Sequence, residues 1–193
     1  MRSICVFCGS NPGGDPVYLD TAKALGEYLA REGLTMVYGG ASVGLMGAAA
    51  TACLSAGGQV VGVLPDFLER KELAHTGLTR LHVVPTMHER KALMADLSDG
   101  FIALPGGMGT LEEFCEIVTW AQLGLHRKPC GLLNVTRFYD PLLALVGRMV
   151  ADRFVRQAHA GIVLAADTPF DLLALMRAYT PVQAPKWIDR DKS

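Results

Sequence analysis

The sequence predicts an α/β fold, with a mostly parallel sheet of about seven strands covered by helices on both faces in three layers. Three observations predict it. Short apolar runs alternate along the whole chain with longer segments of helical period, the pattern of strands joined by crossover helices. Three of those runs end in glycine-rich turns. The chain has 193 residues, half of them hydrophobic, which is enough for one well-buried core and short for two.

Taken in order, Ser3–Cys8 is the first strand candidate, and CGSNPGG follows it. Pro16–Arg31 is amphipathic with a helical period, and Thr35–Tyr38 is the next apolar run, closed by YGGASVGLMG. Leu45–Ala56 reads as a helix, Val60–Leu64 and Arg80–Val84 as strands, and Met87–Leu97 as a helix. Gly100–Leu104 is a strand that runs into LPGGMGT, and Thr110–Leu123 is the helix behind it. Cys130–Asn134 and Gly161–Leu164 complete the set of strands. We read residues 1–180 as a single domain and residues 181–193, within TPVQAPKWIDRDKS, as a surface or disordered tail, because that stretch is proline-rich and polar.

Composition removes several function classes. With Lys+Arg 18 against Asp+Glu 19 there is no excess positive charge to displace counterions from a nucleic-acid backbone. No apolar run approaches the roughly 18 residues of a membrane span, and MRSICVFCGS turns polar too soon for a signal peptide, so a cytoplasmic protein without a membrane partner is expected. Cys5, Cys8, Cys53, Cys115 and Cys130 are odd in number and scattered through apolar segments, which suits reduced thiols. The CxxC of Cys5 and Cys8 lies in a strand, where a spacing of three sends the two thiols to opposite faces. The five histidines show no metal-ligand spacing.

In an open parallel sheet, loops at the carboxyl ends of strands line the ligand crevice, and glycine lets backbone N–H groups approach an anion at a helix N-terminus. Three such loops point to one nucleotide site. None is GxxxxGK[ST], and none is a clean GxGxxG followed by an acid about twenty residues on, so a mononucleotide fits better than a P-loop triphosphate or a dinucleotide. The acids behind the third loop, Glu112 and Glu113, do not help to hold a phosphate. They serve either as first-turn partners of the helix dipole or as chemistry.

Helical wheels at ~100° per residue sharpen that choice. In MHERKALMADL, Arg90 projects from the middle of the apolar stripe that contains Met94 and Leu97, with Lys91 at its edge. From Thr110 onward, Glu112, Glu116 and Thr119 share a polar side, whereas Glu113 falls on the apolar border between Ile117 and Trp120. A charge so placed must meet an opposite charge, a carbonyl or a bound ion. Arg90 and Glu113 therefore either pair structurally or face one crevice from two helices.

LPGGMGTLEEF together with TMHERKALM resembles the paired PGGxGTxxE and RK signatures of the LONELY GUY (LOG) family, the cytokinin riboside 5′-monophosphate phosphoribohydrolases. The likeness extends through CGSNPG, YGGASVGLMG, SDGFIALPGGMGT, TWAQLGLHRKP and GLLNV, from about Ile4 to about Ile162. The resemblance implies a Rossmann-like homodimer, without metal or redox cofactor, that cleaves the N-glycosidic bond of a nucleoside 5′-monophosphate. It also implies that Arg90 and Glu113 are catalytic, that the loop of Gly106, Gly107, Met108, Gly109 and Thr110 contacts phosphate, and that Glu72, Lys91, Leu111, Glu112 and Thr119 contact substrate. One departure is Ala41, where many members have a third glycine.

Relatives of this kind have often been labelled lysine decarboxylases. Pyridoxal-phosphate decarboxylation needs a Schiff-base lysine and a partner for the pyridinium nitrogen, and no such constellation is evident in the sequence. A carboxylate suits N-glycoside cleavage instead, because the anomeric carbon passes through an oxocarbenium-like state that Glu113 can stabilise, hydrate by directing water, or attack. A non-catalytic nucleotide-binding module and a 2-deoxyribosyl transferase share the same loops, and the base can be adenine or an N6-prenylated adenine.

Overall fold

The computed structural model describes residues 1–69 and 74–182. Glu72 and the tail from residue 183 on lie outside the described residues.

Seven strands form one sheet in the order β4-β3-β2-β1-β5-β6-β7, and every pairing is parallel. They are β1 (Ser3–Phe7), β2 (Thr35–Tyr38), β3 (Val60–Pro65), β4 (Arg80–Val84), β5 (Phe101–Ala103), β6 (Cys130–Leu133) and β7 (Val163–Ala166). The expected α/β architecture is thus observed, with one displaced strand. The seventh begins at Val163 rather than Gly161 because Gln157–Ala160 forms a helical turn that Gly161 caps.

Helix α1 (Pro16–Arg31) starts where Asp15 accepts a hydrogen bond from Val17 N at 2.9 Å and Pro16 occupies the first turn. Its buried residues Ala22, Leu25, Gly26 and Leu29 follow the i, i+3, i+4, i+7 stripe. They pack on α2 (Gly44–Ser55), whose residues are small and mostly apolar. With α8 (Pro169–Ala178), α1 and α2 cover one face of the sheet. The other face carries α4 (Met87–Asp96), α5 (Met108–Leu123) and α6 (Asp140–Ala151), with the shorter α3 (Asp66–Glu69) and α7 (Gln157–Ala160) in the connections. The central strands have side chains in both cores: Ile4 and Val6 in the first, Cys5 and Phe7 in the second. Cys5 and Cys8 fall in opposite cores, as strand geometry requires; Cys53 and Cys130 are buried as well, while Cys115 is exposed.

The strand order reverses beside β1, which pairs with β2 on one side and β5 on the other. The three glycine loops meet there. Gly9 N donates to Pro105 O at 3.2 Å, joining the first loop to the third, and Leu45 N donates to Gly9 O at 3.1 Å, joining the first to the second. The backbones come so close that a side chain on Gly44, whose φ is +58°, would begin 2.3 Å from the Ser10 carbonyl.

The α1–α2 contact has the same character. A Cβ on Gly26 would lie 2.1 Å from Ala49 O, a backbone atom that cannot step aside. Gly26→Ala should therefore force the helices apart and cost about 1–3 kcal/mol, the usual range for overpacking. A thermal melt should show Tm lowered by roughly 2–12 °C for a chain of this size; an unchanged Tm would mean that the two helices slide freely.

Candidate active site

Helix α4 opens on a Thr86 N-cap, whose hydroxyl accepts from Glu89 N at 3.2 Å while donating to the Glu89 carboxylate. That start sets the rotation of the helix and turns Arg90 inward, where it is 9% exposed. Arg90 Nε donates to Val63 O of β3 at 3.2 Å, and Nη1 lies 3.8 Å from Met87 Sδ. The same Nη1 reaches Glu113 Oε1 of α5 at 3.4 Å. Both side chains of the pair are nearly buried, at 11% and 12% exposure.

Helix α5 begins at Met108 with Gly107 as N-cap, two residues earlier than the sequence pattern suggests. Glu112 and Glu113 are thereby displaced beyond the first turn, which contains no acid, so the helix dipole does not account for them. Gly107, Met108 and Gly109 are exposed at the crevice rim, while Thr110 is buried beneath Gly106 and would be 2.2 Å from a Cβ there. Glycine at 106 is what lets the loop lie flat on the Thr110 hydroxyl and on Gly9 N. On the α1 side of this loop a cavity of about 210 Å³ is lined by Gly9, Ser10, Asn11, Tyr18, Gly107 and Phe138, among others.

Lys91 points into a second ion cluster. Its ammonium lies 2.5 Å from Glu112 Oε1 and 3.0 Å from Glu116 Oε2. Burial pulls the Lys91 pKa down, but the hydrogen bonds to Glu112 and Glu116 outweigh it and hold the amine above the ordinary lysine value. For Glu113 the balance is reversed. Burial raises its pKa above the ordinary glutamate value, and the attraction of Arg90 offsets only part of that rise.

The structure therefore brings together Arg90, Lys91, Glu112 and Glu113 from two helices, with the Gly106–Thr110 loop and a half-buried Leu111 at the start of the second. Thr119 is set apart. It lies nine residues beyond Thr110, about 13 Å along the helix at 1.5 Å per residue. Its hydroxyl donates back to Cys115 O at 2.7 Å, and it lines a groove between α5 and α6 rather than the crevice. Sequence reasoning missed two parts of the site: the pairing of Glu116 with Lys91, and the seat of Arg90 against Gly39 and Val63 O. Helical position marked Glu116 as polar, but no pattern announces a partner on another helix or a backbone acceptor on a strand. Ala41, in the second loop, is buried at 7% and its carbonyl accepts from Tyr38 Oη at 3.1 Å. Among the described residues no group of three or more His, Cys, Asp and Glu side chains is placed to hold a metal ion.

Fold and site together define the class: a Rossmann-like α/β protein with an arginine–glutamate pair and a glycine loop at its topological switch point. A family model described as "possible lysine decarboxylase" matches residues 46–176. The cytokinin riboside 5′-monophosphate phosphoribohydrolase of Rhodococcoides fascians is 49% identical over 178 residues, 92% of this chain and 90% of that one. The rice enzyme LOG, of the same name, is 46% identical over 94% of this chain and 75% of its own length. The chain belongs to this LOG family. Solved structures of a molybdenum cofactor carrier protein from Chlamydomonas reinhardtii (22% identical, TM-score 0.70, 92% and 96% coverage) and of a molybdenum cofactor binding protein from Rippkaea orientalis (23%, 0.69, 92% and 97%) share the fold. The chemistry named by the family model does not suit the lysine at this site. A Schiff-base lysine needs a free amine, whereas two carboxylates hold Lys91 protonated.

The position of Glu113 has a consequence for stability. A carboxyl with a raised folded-state pKa contributes stability below its unfolded pKa and loses it as pH rises through the folded one. At neutral pH the ionised Glu113 is thus a burden, and Glu113→Gln should keep or raise Tm at pH 7, with the benefit shrinking toward pH 4. Melting curves over that range test this. A Tm lowered by roughly 10 °C or more at pH 7 would show instead that the pair is a structural ion pair whose loss strands Arg90.

Proposed function

We propose that this chain hydrolyses the N-glycosidic bond of nucleoside 5′-monophosphates, AMP or its N6-modified cytokinin counterparts, to free base and ribose 5-phosphate. The observation that carries the reading is the nearly buried Arg90–Glu113 pair between α4 and α5, one helical turn behind the glycine loop. The helix start at Gly107 offers backbone N–H groups and a positive dipole end to one phosphate. A ribose 5-phosphate held there extends toward Glu113. Water supplies hydroxide to the anomeric carbon as the C1′–N bond breaks, and its proton leaves with the base. Glu113 meets the positive charge that develops on the sugar, and Arg90 fixes the carboxylate and holds sugar or phosphate oxygens. The names of the relatives support the same substrate class. Glu72, Leu111, Glu112 and Lys91 belong to the binding side of this reading, Lys91 through the carboxylates that it organises.

The working unit we propose is one catalytic domain over residues 1–180, acting as a homodimer in the cytoplasm, with neither nucleic acid nor membrane as partner. Among the described residues no helix is long and apolar enough to cross a membrane. The groove between α5 and α6, about 240 Å³, is lined by Phe114, Val118, Thr119, Leu142, Val146 and Met149, and the exposed Leu123 and Leu125 lie just beyond it. Such an apolar surface with Thr119 and Gln122 at its rim suits a self-complementary contact. Light scattering should give twice the 20.7 kDa chain mass; a clean monomer would refute the dimer.

Chromatography of AMP incubated with the pure protein, alone and with a second base, tests the reaction. Free adenine from AMP alone is expected, with adenosine and ATP cleaved poorly, since the loop addresses one phosphate and lacks a lysine and magnesium apparatus. Adenine released only with a second base would mean transfer, and intact AMP would mean a binding module. Glu113→Gln and Arg90→Ala should each lower turnover by roughly 10²–10⁴ while remaining folded. Glu112→Gln, at 55% side-chain exposure, should lose much less. Equal losses at Glu112 and Glu113 would reassign the carboxylate.

A further inference from the structure

We infer that Gly39, in the loop after β2, is a positioning residue: it forms a notch that seats the Arg90 guanidinium so that Nη1 faces Glu113. This rests on the reading of Arg90 and Glu113 as the reacting pair. A Cβ built on Gly39 would lie 2.1 Å from Arg90 Nη2, 3.2 Å from Cζ and 3.4 Å from Met46 Sδ. The guanidinium therefore lies directly on the Gly39 backbone, in space that every other residue type would fill. On the same edge as Nη2, Val63 O accepts from Nε, and Met87 Sδ flanks Nη1 on the other. Loop, strand and helix thus leave the planar fork one orientation, and in it Nη1 reaches Glu113 Oε1 at 3.4 Å.

The same geometry separates positioning from a purely structural role. Gly39 does not have a positive φ, so alanine meets no backbone strain there. The atom that a methyl would displace is the far end of a flexible side chain. In Gly39→Ala it is therefore Arg90 that gives way, while the loop and the core stay in place. By contrast, a Cβ on Gly47 in the following helix would strike the Ser42 backbone at 2.0 Å, which cannot yield.

Displacing Arg90 leaves Glu113 facing Lys91 of α4, Glu112 and Glu116 of its own helix, Cys5 of β1 and Cys8 just beyond that strand. The strongest attraction on its carboxylate is then weakened, and ionisation becomes harder. The Glu113 carboxyl should titrate at higher pH, and the acid limb of kcat/KM, where activity is lost as Glu113 takes up its proton, should move the same way.

The test follows the Glu113 carboxyl by carbon NMR of glutamate-labelled protein across pH, alongside kcat for AMP, in the parent, Gly39→Ala, Arg90→Ala and the double variant. Expected are a melting temperature for Gly39→Ala within a few degrees of the parent, a Glu113 titration moved upward toward that of Arg90→Ala, and kcat lowered about tenfold or more. In the Arg90→Ala background the same substitution should change neither quantity further. An unmoved titration overturns the inference. So does an equal loss of kcat in both backgrounds, which would place the effect in the loop, or a Gly39→Ala chain that fails to fold. If the parent does not turn over AMP, or Arg90→Ala turns it over undiminished, the functional reading fails, and the titration still decides whether Gly39 seats the arginine.

Discussion

Strand β1 lies between β2 and β5, and the placement of every functional group depends on that reversal of strand order. Crossovers to one side of β1 put α1 and α2 on one face; crossovers to the other put α5 and α6 on the opposite face. Right-handed parallel connections allow little else. The carboxyl ends of β1, β2 and β5 therefore converge, and their loops are stitched together by backbone hydrogen bonds from Gly9 to Pro105 and from Leu45 to Gly9. Glycine is needed where these loops touch, because backbones at such distances leave no room for Cβ atoms.

Upon this frame the charges divide the work. Three carboxylates, Glu112, Glu113 and Glu116, face two cations, Arg90 and Lys91. Lys91 is taken by the two outer carboxylates, leaving Arg90 alone with the most deeply placed one. The deeper acid is thereby kept from its ordinary pKa by desolvation and only partly restored by its partner. Such an arrangement costs stability, and strained, desolvated charges of this kind are commonly found at functional sites. Because Lys91 is already engaged by Glu112 and Glu116, the proposed reading rests the hold on a phosphate chiefly on the backbone of the Gly106–Thr110 loop and on the α5 dipole.

Periodicity is a local property, so it carried the secondary structure well. The α1 stripe, the second and fourth strands and the start of α4 stand where the sequence put them. The errors were at boundaries, where a cap or a turn outweighs the apolar pattern: Gly107 starts α5 early, and Gly161 ends α7 inside a run that looks like strand. The wheel positions of Arg90 and Glu113 were legible for the same local reason, since each charge interrupts the stripe of its own helix.

By itself, then, the sequence determined the order of the strands along the chain, four of the helices between them, the three glycine loops and the two misplaced charges. Only the tertiary structure decided which charges meet. Arg90 and Glu113 are twenty-three positions apart on helices joined through β5, and Lys91, one residue from Arg90, finds a different pair of acids because a step of ~100° around the helix points it elsewhere. The seat of Arg90 against Gly39 and the Val63 carbonyl was invisible for a further reason. A backbone acceptor has no side chain to betray it, and a glycine that makes room for a guanidinium reads in sequence like one that makes a turn.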